Sequence, residues 1–127
     1  MSRRRLLVVD DEPAIREIAQ ISLETIGGWD TVVADSGAAA LEQVAMQPPD
    51  AILLDVMMPG IDGPETVARL QQQPDTRGIA VVLLTAKVQP AERARLSDLP
   101  GVSGVIAKPF DPILLPGQVA ELVGWEA

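Results

Sequence analysis

Five short runs of predominantly apolar residues punctuate the chain, separated by longer amphipathic segments. They occupy residues 6–9, 31–34, 51–54, 79–84 and 105–107. Most of them lack the polar–apolar alternation of a half-exposed strand, and each is bounded by polar residues, glycine or proline. Uniformly apolar runs of this length are typical of strands buried on both faces of a parallel sheet.

The segments between these runs have the spacing of helices. Apolar residues recur at intervals of three and four, with Pro13 suited to a first helical turn and Asp62 and Glu65 spaced as in a capping box. Pro116 should kink the last helix or delay its regular part. The predicted helices cover residues 13–26, 36–47, 62–70, 90–99 and 111–123.

The first and last helices have apolar stripes that we expect to face the core. In the first helix the stripe comprises Ile15, Ile18, Ala19, Ser22 and Ile26, and in the last helix it comprises Leu115, Val119, Leu122 and Val123.

Strict alternation of five strands with five helices predicts an α/β fold with a parallel sheet and right-handed crossovers. The common doubly wound, flavodoxin-like arrangement has the strand order 2-1-3-4-5. The length of 127 residues fits one domain, so we expect a single domain over residues 1–127 with no output domain.

Composition narrows the possible chemistry. Hydrophobic residues make up 47% of the chain and charged residues 22%, as in folded soluble proteins. The formal net charge of −8 argues against direct nucleic-acid binding. The chain has no cysteine and no histidine, which excludes disulfides, thiolate chemistry, histidine triads and phosphohistidine.

The sequence contains no membrane span. The apolar run after the arginines at positions 3–5 ends after four residues, which is too short for a secretory signal. Because no run approaches the roughly 18 residues of a transmembrane helix, we expect a cytoplasmic protein without membrane contact.

Acidic side chains follow two of the predicted strands. Asp10 and Asp11 end the first strand and Asp55 the third, and the order 2-1-3-4-5 makes these strands neighbours. Thr85 and Lys108 end the fourth and fifth strands. The carboxyl edge of the sheet should therefore bring together three carboxylates, a hydroxyl and an ammonium.

Such a cluster suggests a cation and a phosphoryl group. Three carboxylates within a few ångströms repel one another, and an all-oxygen ligand set with room for water suits Mg²⁺. Lys108 and Thr85 can hold phosphoryl oxygens, while Asp55 can act as a nucleophile. Taken singly, Asp10 and Asp11 could be a solvated turn or helix cap, Thr85 a capping residue and Lys108 a surface charge.

The joint pattern closely resembles the receiver domain of two-component response regulators, in particular the single-domain, chemotaxis-regulator-like type. The resemblance covers nearly the full length. Its residues are Val9-Asp10-Asp11-Glu12, the segment from Leu54 to Gly63, Leu84-Thr85-Ala86 and Lys108-Pro109-Phe110.

This resemblance implies that Asp55 accepts a phosphoryl group from a histidine kinase or phosphotransfer protein, in a Mg²⁺-dependent reaction. It also implies that the domain is regulatory, not an enzyme beyond assisting its own phosphotransfer and slow dephosphorylation. The implied roles are metal ligation by Asp10, Asp11, Asp55 and the backbone carbonyl of Met57, phosphoryl binding by Thr85, Ala86 and Lys108, switching by Thr85 and position 105, and a cis bond before Pro109.

One residue departs from the family pattern. Position 105, where the family usually has tyrosine or phenylalanine, is Val105, which has no ring to swing between solvent and core. Any switch would then depend on Thr85, the loop over residues 86–89 and the helix that follows. Without a second domain, output would be contact with an unknown protein, and the face of the fourth helix, fifth strand and fifth helix could form a weak dimer.

Two other functions remain open from the sequence. A degenerate receiver could act as a constitutive interaction module, which Val105 favours slightly and the intact set of acidic, threonine and lysine residues disfavours. An aspartyl-phosphate hydrolase acting on small phosphoesters is the other, although adjacent Asp10 and Asp11 lack the alternating acids of such a nucleophile loop.

Overall fold

The computed structural model of the protein describes residues 3–86 and 89–125. Within them strands and helices alternate along the chain. The elements are β1 (Arg5–Val9), α1 (Pro13–Thr25), β2 (Asp30–Ala34), α2 (Gly37–Met46), β3 (Ala51–Asp55), α3 (Gly63–Gln71), β4 (Ala80–Thr85), α4 (Pro90–Ser97), β5 (Val102–Ala107) and α5 (Leu115–Val123).

The five strands form one sheet in the order β2-β1-β3-β4-β5, and every pairing is parallel. This confirms the predicted fold class and strand order. In the register of β3 with β4, Asp55 lies opposite Leu84, so the two strands end at nearly the same height. The carboxyl ends of β1, β3, β4 and β5 thus share one edge of the sheet.

Helices cover both faces of the sheet and make two separate cores. Along β3 successive side chains alternate between them: Ile52 and Leu54 contact the layer of α2 and α3, and Leu53 contacts the layer of α1 and α5. All three are at most 1% exposed. Burying a side chain of this size stabilises the fold by about 1.5–3 kcal/mol, which explains why the central strands are apolar throughout.

The predicted core stripe of α1 was wrong in part. Ala19, Ser22 and Leu23 are buried, whereas Ile18 and Ile26 are 43% and 50% exposed. Ile26 caps the C-terminus after the helix has ended at Thr25. Successive helical residues are about 100° apart, so a buried face centred on Ala19 and Leu23 puts Ile18 at its margin.

The start of the last helix was also predicted too early. Residues 112–114 form turns, and α5 begins at Leu115, which places Pro116 in the first turn. A proline there lacks only an N–H that would be unpaired anyway, so no kink is required. The expectation that Pro116 delays the regular part of the helix is confirmed, although the helix begins one residue before Pro116 and not after it. Leu115 and Val119 are fully buried, and Leu122 and Val123 pack at the edge of the same core.

Several strand ends differ from the sequence pattern. Asp55 and Thr85, one residue beyond the apolar runs, are the last residues of β3 and β4 and are still paired in the sheet. β5 begins at Val102, three residues before the predicted run, because Ser103 and Gly104 interrupt the apolar pattern there. The predicted starts of α2 and α3 are confirmed: Ser36 and Asp62 accept hydrogen bonds from the amides of Ala39 and Glu65.

Candidate functional site

Three carboxylates meet at the carboxyl edge of the sheet. One oxygen from each of Asp10, Asp11 and Asp55 can be chosen so that all lie within 4.8 Å of one another. Asp10 follows β1 and Asp55 ends β3, and both are buried because those strands are central. The predicted convergence of these residues is therefore present in the structure.

Lys108 reaches this cluster from the end of β5. Its ammonium lies 2.9 Å from Oδ2 of Asp10 and 3.2 Å from Oδ1 of Asp55. Oε1 of Glu12, at the exposed rim, is 3.8 Å away. The Lys108 side chain is only 14% exposed, so it acts as the internal counterion that makes burial of two carboxylates tolerable.

Asp10 is held at each of its acceptor groups. Its Oδ1 accepts a 2.9 Å hydrogen bond from the amide of Glu12, and its Oδ2 accepts the bond from Lys108. Its backbone carbonyl accepts a 2.8 Å bond from Nη1 of Arg16 on α1. Its own amide donates to the carbonyl of Ala34 at the end of β2. A buried, fully paired carboxylate of this kind is a fixed reference point for the site.

The loop after β3 brings the backbone at Gly63 back against the backbone of Asp55 and Val56. The amide of Val56 donates to the carbonyl of Leu84, and that of Gly63 donates to the carbonyl of Val56 at 2.9 Å. A Cβ on Gly63 would lie 2.7 Å from the backbone oxygen of Asp55, closer than real side chains come. Gly63 thus lets α3 start directly against the strand that carries Asp55. Met57, two residues beyond Asp55, is 65% exposed at the rim.

Thr85 and Lys108 are joined through their backbones. Lys108 donates its amide to the carbonyl of Thr85 at 2.8 Å, and the side chain of Thr85 is buried. The Lys108–Pro109 peptide bond is cis. Ala86, the next residue after β4, is exposed at this edge. Val105 lies on β5 opposite Leu83 and packs, half-buried, against the core on the α2–α3 side.

Burial and charge shift two pKa values in the site. Burial raises the pKa of Asp55 above its ordinary value, and the negative charge of Asp10 acts in the same direction; Lys108 and the Met57 amide oppose them. For Lys108 burial favours the neutral form, but the hydrogen bond and charge of Asp10, together with Asp55, outweigh it and raise the pKa. Asp55 therefore carries its charge at an energetic cost that a bound cation would relieve.

The donor set fits a hard cation. Carboxylate oxygens are present and neither histidine nor cysteine occurs in the chain, which is the ligand chemistry of Mg²⁺ and related ions. None of the helices within residues 3–86 and 89–125 combines the length and the apolarity needed to cross a bilayer.

The sequence-family model of the response regulator receiver domain matches residues 6–120, which is nearly the whole chain. The chain belongs to this family of receiver domains. Its function is therefore that of a receiver in two-component signal transduction, a regulatory domain of a kind that takes phosphoryl groups from histidine kinases.

Known receivers share both sequence and structure with this one. The phosphate regulon transcriptional regulatory protein PhoB of Escherichia coli is 40% identical over 116 residues, which cover 91% of this chain and 50% of that protein. Alkaline phosphatase synthesis regulatory protein PhoP of Bacillus subtilis is 37% identical over 109 residues, covering 86% and 44%. The chain spans about half the length of the curated relatives it matches.

Solved structures agree in fold over almost their whole length. A putative response regulator from Chloroflexus aurantiacus superposes with a TM-score of 0.87 at 32% identity, covering 97% of this chain and 99% of that one. The chemotaxis protein CheY4 of Vibrio cholerae gives a TM-score of 0.87 at 27% identity, with 95% and 99% coverage.

Arg16 was not predicted as a contributor to the site, and Gly63 was noted only as part of a motif. Arg16 bonds to the backbone of Asp10, and Gly63 permits the tight return beside Asp55. Arg16 has no local signal, because an arginine near the start of an amphipathic helix is common. Glu12 was noted only as part of a motif, and its nearness to Lys108 depends on the fold.

Proposed function

We propose that Asp55 is the phosphoryl acceptor of this receiver and that Mg²⁺ held beside it supports the transfer. The observation that carries the proposal is the position of Lys108, whose ammonium bridges Asp10 and Asp55 at 2.9 and 3.2 Å within a cluster of three acids. A buried nucleophile, a group of acids that can hold a cation and a cationic side chain beside the nucleophile are the parts that phosphoryl transfer needs.

The chemistry of transfer is a single displacement at phosphorus. An oxygen of the Asp55 carboxylate forms the new O–P bond as the P–N bond to the donor's phosphohistidine breaks. The donor nitrogen leaves with the bonding electron pair and regains a proton from water. Asp10, Asp11, Asp55 and the carbonyl of Met57 would hold Mg²⁺, which supplies positive charge to the phosphoryl oxygens when bound.

Lys108 and Thr85 then retain the product. Lys108 is already in contact with Asp55, so its ammonium can pair with a phosphoryl oxygen by a small movement away from Asp10. The hydroxyl of Thr85, the last residue of β4, and the amide of Ala86 lie at the same edge and can supply two further hydrogen bonds. Each contact is strongest when Asp55 carries the phosphoryl group, so each favours the phosphorylated conformation.

The output of the switch depends on α4. This helix has no buried residue and contacts the core through Leu96, and through Leu99 just beyond it, beside Val105. Because Val105 is too small to act as an aromatic switch, displacement of Thr85 would be passed to the loop after β4 and to α4. An element with so few buried contacts is inexpensive to shift.

The partners follow from this role. The phosphodonor would be a sensor histidine kinase or phosphotransfer protein, and the phosphorylated domain would bind a further protein, or a second copy weakly, through α4, β5 and α5. We assign residues 1–127 to one receiver that acts by protein contact in the cytoplasm and turns over no substrate of its own. The strongly acidic composition supports protein contact over direct binding to nucleic acid.

The test is covalent labelling with a small phosphodonor. The purified protein is incubated with acetyl phosphate and Mg²⁺, and its intact mass is measured with and without a chelator. We expect the mass of one phosphoryl group to be added in the wild type and not in Asp55→Asn. An adduct that forms equally in the variant, or none under conditions that label a known receiver, would reject Asp55 as the acceptor.

The same experiment separates the other functions considered for the chain. A degenerate receiver would not be labelled, and the intact acids and Lys108 in contact already disfavour it. A phosphoester hydrolase would release phosphate from a chromogenic ester over many turnovers, well above the Asp55→Asn background.

A further inference from the structure

Among residues 3–86 and 89–125, the side chain of Arg16 forms one hydrogen bond to the site, and the acceptor is a backbone oxygen. Nη1 of Arg16, on the first turns of α1, donates a 2.8 Å hydrogen bond to the carbonyl of Asp10. Within residues 3–86 and 89–125 the guanidinium forms no ion pair. Lys108 pairs with the carboxylates of Asp10 and Asp55, whereas Arg16, which is half-buried, binds the backbone carbonyl of Asp10. The contact of Arg16 therefore does not serve to neutralise a carboxylate.

The bonded carbonyl belongs to the peptide group that joins Asp10 to Asp11. This group lies between the end of β1 and the start of α1, where no strand or helix ladder pairs its oxygen. Because a peptide group is planar, fixing the Asp10 oxygen also fixes the plane from which Asp11 departs. Asp10 has other anchors in Glu12, Lys108 and Ala34, so the orientation that Arg16 decides is that of Asp11.

Close packing does not force Arg16 into this position. The side chain borders an open groove of about 290 Å³ lined also by Ala34, Asp35 and Gln43. Because the groove is open, the guanidinium has room to turn towards water. The inward orientation is therefore selected by the charge-assisted hydrogen bond to Asp10.

We infer that Arg16 is a positioning residue, which orients the Asp10–Asp11 peptide so that the Asp11 carboxylate faces the metal site. The inference rests on the proposed Mg²⁺-dependent function of the acidic cluster. When a residue that orients a metal ligand without touching the metal is mutated, the metal affinity typically falls by about 10- to 100-fold. Charge alone acts in the opposite direction, because a nearby cation repels Mg²⁺ and its removal should tighten binding.

The test is a Mg²⁺ titration of Arg16→Met by calorimetry, in which Mg²⁺ itself is the probe. Methionine keeps much of the apolar stem and loses the donor and the charge. We expect the dissociation constant for Mg²⁺ to rise about tenfold. Arg77→Met is the matched control, since exposed Arg77 precedes β4 at the amino edge of the sheet, and it should bind Mg²⁺ as the wild type does.

A second variant separates position from charge and protects the test against misfolding. Arg16→Lys keeps the charge and a donor but not the reach of the guanidinium, and should bind Mg²⁺ with an affinity between those of the wild type and Arg16→Met. If Arg16→Met does not fold by circular dichroism, a wild-type affinity in Arg16→Lys rejects the inference, and a several-fold loss supports it.

Each outcome has a distinct meaning. If Arg16→Met has an unchanged Mg²⁺ affinity and only a lower melting temperature, the role of Arg16 is purely structural. If the variant binds Mg²⁺ more tightly, the effect is one of charge. Either result overturns the inference, and so does a wild type that binds no Mg²⁺. Labelling by acetyl phosphate gives a second readout: Arg16→Met should need about tenfold more Mg²⁺ for half-maximal rate, with a near-normal maximal rate. If the wild type binds Mg²⁺ but is never labelled, the proposed function fails while the Mg²⁺ titration still decides the role of Arg16.

Discussion

The ammonium of Lys108 lies closer to Asp10, at 2.9 Å, than to Asp55, at 3.2 Å. In the unphosphorylated protein this lysine therefore serves the metal-site acids as much as the phosphoryl acceptor. It neutralises charge that would otherwise make burial of the two carboxylates costly. It is also a competitor for any cation that these carboxylates bind.

Mg²⁺ should raise the melting temperature of the protein, because the acidic cluster exists only in the folded chain. At a Mg²⁺ concentration 100 times the dissociation constant, the expected stabilisation is about 2.7 kcal/mol. The measurement is thermal unfolding across a Mg²⁺ series at constant ionic strength, with Asp11→Asn as the control. Equal melting temperatures with and without Mg²⁺ would count against the metal site.

Replacing Lys108 should separate its two roles. Lys108→Met removes the counterion from Asp10 and Asp55, so the metal-free protein should lose roughly 1–3 kcal/mol of stability, as when a buried ionic group loses its partner. The same variant should bind Mg²⁺ more tightly, because the competing cation is gone. Calorimetric titration of Lys108→Met and of the surface control Arg95→Met measures both effects. A weaker affinity in Lys108→Met would show that the lysine does not compete with the metal.

Asp55→Asn should stabilise the metal-free protein at neutral pH. Burial and the charge of Asp10 raise the pKa of Asp55 in the fold, so its ionised form is less favourable folded than unfolded. This penalty grows as the pH rises from the ordinary pKa of 3.8 through the raised value and is complete above it. The asparagine variant should melt higher near pH 7, and the difference should shrink towards pH 4.

Thermal unfolding of the wild type and Asp55→Asn at several pH values, in chelator, measures this effect. For a domain of this size each kcal/mol corresponds to roughly 3–5 °C. Mg²⁺ should reverse the order, since the variant has lost a ligand. A variant that melts lower than the wild type at neutral pH without metal would show that the contact with Lys108 outweighs burial.

The phosphoryl group on Asp55 should be long-lived. Met57, two residues beyond Asp55, is 65% exposed and has an apolar side chain, which can offer an attacking water no hydrogen bond. Loss of the phosphoryl mass after removal of the donor measures its lifetime, and Met57→Gln, which can orient a water, should shorten it. A wild-type half-life of seconds would contradict this expectation.

The sequence by itself determined the fold and most members of the site. Fully apolar runs ending on Asp10, Asp55 and Thr85 can be recognised locally, because a strand buried on both faces leaves no other pattern. Once the strands take the order 2-1-3-4-5, the convergence of their carboxyl ends follows. The motifs that end these strands were enough to indicate a receiver.

Only the tertiary structure decided which contacts those residues make. Lys108 and Asp10 are 98 positions apart, and no local pattern reports that the lysine bridges two acids instead of facing solvent. The exposure of Ile18 depends on which face of α1 packs against the sheet. The role of Arg16 depends on its hydrogen bond to the backbone carbonyl of Asp10, which lies between β1 and α1. Local periodicity specifies which elements form, whereas side-chain partners across the fold are set by how those elements pack.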